Sequence, residues 1–162
     1  MSQERWIRIT IAAQRLEVID GSQVIAGYVV STSSNGAGEQ VNSEQTPRGL
    51  HTVRDLIGHG APLGAVFVGR RFTGEVFSSE LRTAHPDRDW VLSRVIWLEG
   101  VEDGKNRGGD VDTLARCIYI HGTPDTEPIG RPGSHGCIRM RNADVISLFD
   151  MAQLGMHVQI DE

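Results

Sequence analysis

The sequence predicts a mainly β single domain with one main helix near its end. Three observations carry that prediction. Residues 7–11 alternate, with Ile7, Ile9 and Ile11 on one face and Arg8 and Thr10 on the other. Asp20-Gly21 separates two strand-like runs and reads as a hairpin turn. Clear helical spacing occurs at Val145, Leu148, Phe149 and Ala152. The chain has 162 residues, 39% of them apolar, which suits one domain over 1–162 with a packed core.

Taken in order, Ile7, Ile9 and Ile11 mark the first strand, and Leu16 and Val18 the second. Residues 24–30 form a third, completing a meander. A loop rich in Ser, Asn and Gly runs over 31–45, long enough to be a candidate functional loop. Thr46-Pro47-Arg48-Gly49 ends it, and 50–53 begins a short strand. Breakers fill 58–64. Residues 65–68, 75–77 and 90–98 are strand-like, and 99–112 is a polar, glycine-rich loop. Residues 116–121 are apolar enough for a buried strand, with Cys117 as a packing side chain. Three prolines make 122–133 a loop. The helix takes Asn142 as N-cap, Asp144 in its first turn and Gly155 as its stop. Residues 158–160 form a last strand.

Sixteen basic against 21 acidic residues give a net charge of −5, which argues against general nucleic-acid binding. No run approaches the roughly 18 apolar residues of a membrane span. The start carries charges at Glu4, Arg5 and Arg8 and lacks the apolar stretch of a secretory signal. A cytoplasmic protein is therefore expected. The periplasm or cell envelope is the alternative if the true start is missing. Two cysteines, Cys117 and Cys137, do not make a disulfide framework.

Chemistry concentrates between Tyr119 and Asn142. Cys137 follows Gly136, precedes Arg139 and Arg141, and lies about one turn before the helix. Positive neighbours and a helix N-terminus lower a thiol pKa, and a glycine leaves room for substrate and exposed amides. His121 ends a predicted strand and is the preferred general base. His135 is nearer in sequence and reads as a positioning or polarising group. No acid is obviously placed for a triad, so the carbonyl of Gly122 or a nearby backbone oxygen is the candidate to orient His121. Arg131, Arg139 and Arg141, with no acid over 128–142, give a locally basic segment suited to carboxylates. Arg131 and Arg141 read as surface residues, and His51, His59, His85 and His157 as structural or exposed.

Tyr119-Ile-His-Gly-Thr followed by Ser134-His-Gly-Cys-Ile-Arg-Met-Arg-Asn142 resembles the L,D-transpeptidase catalytic domain, the YkuD-type family. Thr46-Pro47-x-Gly49 and Gly155-x-x-Val158-x-Ile160 fit the same family, in a short form without an export signal. The resemblance spans roughly 5–160. It implies a β-sandwich-like fold with the main helix after the catalytic cysteine. It also implies a cysteine acyl-enzyme, no cofactor and no metal, acting on murein tetrapeptide stems or muropeptides. Carried over by position, Cys137 is the nucleophile and His121 the base. His135 and Gly136 complete the catalytic set, and Ser134, Arg139, Asn142 and Gly122 border the substrate. Covalent inhibition by carbapenems follows from the same resemblance. The spacing from His121 to Ser134 is compact for the family. Residues 54–114 do not align, which leaves the pocket lid unassigned.

Attack at the third stem residue would expel the terminal D-alanine. Water then gives an L,D-carboxypeptidase of peptidoglycan recycling, the outcome expected here. An amine gives a 3→3 cross-link, the transpeptidase alternative. Two remote readings stand beside these: a zinc site from His121, His135 and Cys137, with Asp125 as an optional further ligand, and a non-catalytic murein-binding module.

Overall fold

The computed structural model describes residues 5–162. The stretch Met1 to Glu4, part of the reading against an export signal, lies outside the described residues. Ten strands form the frame. They are β1 (Arg5–Thr10), β2 (Arg15–Asp20), β3 (Gln23–Ser31), β4 (Gly49–Ile57), β5 (Ala65–Val68), β6 (Arg71–Val76), β7 (Val91–Gly100), β8 (Tyr119–Gly122), β9 (Ile138–Met140) and β10 (His157–Asp161). A short helix α1 (Ser79–Ala84) precedes β7, and the main helix α2 (Asn142–Met151) follows β9. The mainly β fold with one main helix is as the sequence predicts.

Eight strands pair in a ring, in the order β4-β10-β1-β2-β3-β9-β8-β7, closed by β7 pairing with β4. The β5–β6 hairpin extends the sheet from the start of β7. Strand β7 is thus shared. Its first residues pair with β5, its later ones with β4, and the register shifts in between. Ser93 takes a positive φ of 72° at that shift. Inward residues alternate as the period of two requires. Ile7 and Ile9 of β1, Leu16 and Val18 of β2, and Val158 and Ile160 of β10 are fully buried in one core cluster. Helix α2 adds Val145, Leu148 and Phe149 to that cluster and packs on β7 and β8. Among the described residues no helix is long and apolar enough to cross a membrane.

Several expected boundaries move. Asn142 does not cap α2; Arg141 occupies the cap position without a side-chain bond, and Asn142 is the first helical residue. Its amide turns inward instead. Oδ1 accepts from Ser93 Oγ at 2.6 Å, and Nδ2 donates to the Thr123 carbonyl at 3.0 Å and to Asp125 Oδ1 at 3.1 Å. The helix ends at Ala152 in extended backbone, so Gly155 lies in the turn beyond rather than at the stop. Residues 116 and 117 are not strand. They lie in a turn, with Cys117 at φ 58°, and β8 begins only at Tyr119. Apolar composition alone could not separate that turn from the strand after it. Helix α1 was not expected; Ser78 caps it by accepting from the Leu81 N–H at 3.0 Å.

His51 is fully buried in β4 and ties it to the loop before β8. Nδ1 donates to the Gly49 carbonyl at 3.0 Å, and Nε2 faces Thr113 Oγ1 at 3.0 Å. Gly49 takes φ 101°, and a Cβ there would run into Glu102 and Asn106, so glycine is required at the end of the Thr46-Pro47-x-Gly49 element.

Two stability outcomes follow. Asn142→Ala orphans the buried Ser93 hydroxyl and Thr123 carbonyl on two segments and should cost about 1–3 kcal/mol in urea unfolding. Burial lowers the His51 pKa to about 4. The unfolded chain therefore takes up this proton first, and stability present above about pH 6.5 is lost as pH falls towards 4. Denaturation at stepped pH should show that loss, on the order of 3 kcal/mol for this group, and His51→Gln should flatten it.

Candidate active site

Strands β8 and β9 run parallel, in the register Ile120↔Ile138, His121↔Arg139 and Gly122↔Met140. Register partners share a face, and so do residues two apart along a strand. Ile120, Ile138 and Met140 point into the core and are fully buried. His121 and Arg139 therefore face the other way, and Cys137, two residues before Arg139, joins them. The structure brings these three to one cavity of about 100 Å³, lined also by Ser134, His135, Asp89, Arg116, Cys117 and Ile118.

His121 is 1% exposed. Its Nδ1 lies 2.7 Å from the Gly122 carbonyl, as the sequence reading anticipated. A carbonyl only accepts, so Nδ1 carries the hydrogen and Nε2 of the neutral ring keeps its lone pair. Burial pushes the imidazole below its ordinary pKa, so the neutral ring prevails at neutral pH. Gly122 can carry no side chain, because the Leu92 carbonyl and Asn142 occupy the space.

The Cys137 sulfur accepts from the Tyr119 N–H at 3.2 Å, and its S–H faces the Cys117 carbonyl at 3.5 Å. Burial pushes the thiol up to about 12, against smaller opposing effects of the Tyr119 N–H and Arg139. This corrects the expectation of a lowered thiol pKa. Strand β9 separates Cys137 from α2 along the chain, and desolvation outweighs the opposing pull of Arg139. The resting pair is a protonated thiol with a neutral imidazole.

The loop before Cys137 is pinned from within. Ser134 Oγ donates to the Cys137 carbonyl at 2.6 Å and accepts from the Gly136 N–H at 3.2 Å. Thr46 Oγ1 donates to the Gly136 carbonyl at 2.9 Å and accepts from the Ser33 N–H at 3.0 Å. Gly136 takes φ 131°, open to glycine and strained for other residues. Ser134 and Gly136 are thus placed beside the thiol, but these polar groups are engaged within the loop.

Arg139 is 15% exposed at its side chain and pairs with Asp89 at 3.2 Å; its other arm donates to the Gly133 carbonyl at 3.0 Å. His135 is exposed and borders three openings: the thiol cavity, a groove of about 420 Å³ and a groove of about 310 Å³. The larger groove is walled by α1, the segment entering β7 and the proline-rich loop, including Arg82, Trp90, Glu127 and Arg131. This gives 54–114 a structural place beside the site. The smaller groove contains Val41, Asn42, Glu44 and Arg116.

Asn142 does not line the thiol cavity; it closes the floor of a separate, mostly apolar recess with Asp125. Asp125, the optional fourth ligand of the zinc reading, is therefore not grouped with His121, His135 and Cys137. Among the described residues no three His, Cys, Asp or Glu side chains gather as a metal set. The locally basic character expected from 128–142 is offset in space by Asp87, Asp89 and Glu127. Cys117, expected in a packed strand, instead lines the cavity beside Cys137. Sequence reasoning missed Asp89, Arg116 and the Tyr119 N–H. Arg116 adjoins the quoted motif and Tyr119 opens it, but Asp89 lies far away in the chain and left no local signal.

Comparison with known proteins bears on the family and the fold. The L,D-transpeptidase catalytic domain family, YkuD, matches residues 4–160. The probable L,D-transpeptidase YbiS of Escherichia coli K12 is 46% identical over 50 residues, covering 30% of this chain and 16% of that protein. The putative L,D-transpeptidase YqjB of Bacillus subtilis is 42% identical over 50 residues, covering 31% and 28%. The solved L,D-transpeptidase from Mycobacterium smegmatis superposes with a TM-score of 0.56 at 18% identity, over 98% of this chain and 59% of that one. The L,D-transpeptidase LdtMt1 in complex with imipenem gives 0.55 at 15%, over 96% and 58%. The matches thus span under a third of these two curated relatives' length and about three-fifths of the solved chains. With nearly its whole described length inside the match, the chain belongs to the YkuD family of L,D-transpeptidase catalytic domains.

Proposed function

We propose that the protein acts through a Cys137 acyl-enzyme on the L,D-peptide bond of murein tetrapeptide stems, between the third residue and the terminal D-alanine. One observation carries the proposal: Cys137 and His121 share a face and a cavity, with His121 Nδ1 committed to Gly122. As sulfur attacks the carbonyl, its proton passes to His121 Nε2. The C–N bond to D-alanine then breaks, and the imidazolium returns that proton to the leaving amine. A thioester on Cys137 remains.

Because the thiol is held protonated, the nucleophile forms during attack rather than beforehand. His135 and Arg139, on the rim shared with the larger groove, would guide the stem, and Ser134 and Gly136 would hold the loop's shape. Hydrolysis to a tripeptide is the proposed outcome, since water needs no further binding surface. A second reading, aminolysis to a 3→3 cross-link, is favoured by the 310 Å³ groove beyond His135, which offers an acceptor a separate approach.

Purified protein given tetrapeptide stem should release D-alanine, and Cys137→Ala should abolish release. His121→Gln should lower turnover by about 10²–10⁴. Adding an amine stem decides the acceptor: tripeptide product supports hydrolysis, and dimer formed in preference to it supports cross-linking. A carbapenem should add its mass to the wild type and not to Cys137→Ala. In a Cys117→Ser background, iodoacetamide should label Cys137 more slowly than a free thiol at pH 8, with the rate still rising above pH 9. Rapid labelling at pH 7 would show a preformed thiolate and overturn the in-step activation.

A further inference from the structure

We propose that Asp89 is a positioning residue for His121: by neutralising Arg139 beside the imidazole, it lets Nε2 take up the thiol proton. The inference rests on the acyl-enzyme reading and adds a residue to it.

His121 and Arg139 are register partners on adjacent parallel strands and leave them on the same face. Neighbouring strands lie about 4.8 Å apart, so a cation on Arg139 acts on the imidazole at short range. Arg139 is poorly hydrated, with 15% of its side chain exposed. An uncompensated cation there disfavours the imidazolium that forms when the thiol proton arrives. Asp89 supplies the compensation at 3.2 Å, and the Gly133 carbonyl fixes the other arm of the guanidinium.

The charged and titratable groups facing His121 come from four segments. Cys137 and Arg139 come from β9 and the residue before it. Arg116 and Cys117 come from the turn before β8, His135 from the loop, and Asp89 from the lead into β7. Arg116 is held by the carbonyls of Gly38, Glu39 and Gln45. Asp89 is the carboxylate among the described residues that lines this cavity. It is also well mounted. Trp90 beside it is buried and meets Phe77 edge to face at 5.1 Å. Arg88 on its other side is engaged by Glu75 at 3.1 Å, which leaves Asp89 to Arg139. The direction agrees with the opposed influences of Asp89 and Arg139 on the imidazole, the first raising and the second lowering its proton affinity.

The test is the titration of His121 by NMR on ring-labelled protein, read beside the pH profile of D-alanine release. In Asp89→Asn the midpoint should move down by about 0.5–1 pH unit, with the acid limb of kcat/KM moving likewise and kcat falling about three- to tenfold. Asp89→Glu keeps the charge and should keep the wild-type midpoint. Asp87→Asn, which removes a carboxylate from the same groove but not from Arg139, should leave the midpoint in place. An unmoved or raised midpoint in Asp89→Asn overturns the proposal, as does an equal shift in Asp87→Asn or a fall in Asp89→Glu. The NMR reading needs no turnover. If wild type releases no D-alanine while the midpoint still falls in Asp89→Asn, the acyl-enzyme reading fails and the electrostatic role stands.

Discussion

The parallel pairing of β8 with β9 is the constraint on which the site depends. Its register gives one face of both strands to the core and the other to His121, Arg139 and Cys137. A slip of one residue would turn Cys137 into the core and bring Ile138 to the cavity. The apolar face resists that slip, because Ile120, Ile138 and Met140 are all fully buried. Burial that stabilises the barrel-like ring therefore also orders the side chains of the candidate site.

Polar pins then hold what the hydrophobic contacts leave free. Thr46 reaches from the far loop to the Gly136 carbonyl, Ser134 closes the turn onto Cys137, and Asn142 joins β7, the loop after β8 and α2. Each is buried and satisfied, and each would leave an orphaned partner if removed. Glycine-rich chain could adopt many shapes around a thiol, and these bonds select one. They also explain why motif residues that look functional in a sequence can act through the backbone rather than on a ligand.

Much of this was legible in the chain itself. Alternation gave β1 and β2, Asp20-Gly21 gave the turn between them, and helical spacing gave α2. The pair of motifs around His121 and Cys137 gave the family. What stayed hidden is what depends on distance in space. The ring closes through β7 and β4, a pairing with no local signature. Asp89 meets Arg139 across fifty positions of chain. Cys117 stands between Arg116 and Ile118 and occupies a left-handed turn rather than the strand that begins at Tyr119. Asn142 fits the statistical profile of a helix cap, but Ser93, Thr123 and Asp125 compete for its amide more strongly than one terminal N–H.

The inverted thiol pKa shows how far local charge can mislead. Arginines two and four residues after Cys137 suggest a stabilised thiolate. In the folded protein Arg139 is tied to Asp89 and Gly133, while Arg141 sits exposed at the start of α2. The sulfur's hydrogen-bond partners are the backbone N–H of Tyr119 and carbonyl of Cys117, and burial keeps it protonated. A pocket built that way makes reactivity conditional on a base within reach, because the thiol alone is a poor nucleophile. It also guards the sulfur against stray electrophiles while no substrate is bound. On the proposed acyl-enzyme, selectivity would come from alignment of a carbonyl between sulfur and imidazole, and the charge balance beside that imidazole would govern how readily the proton moves.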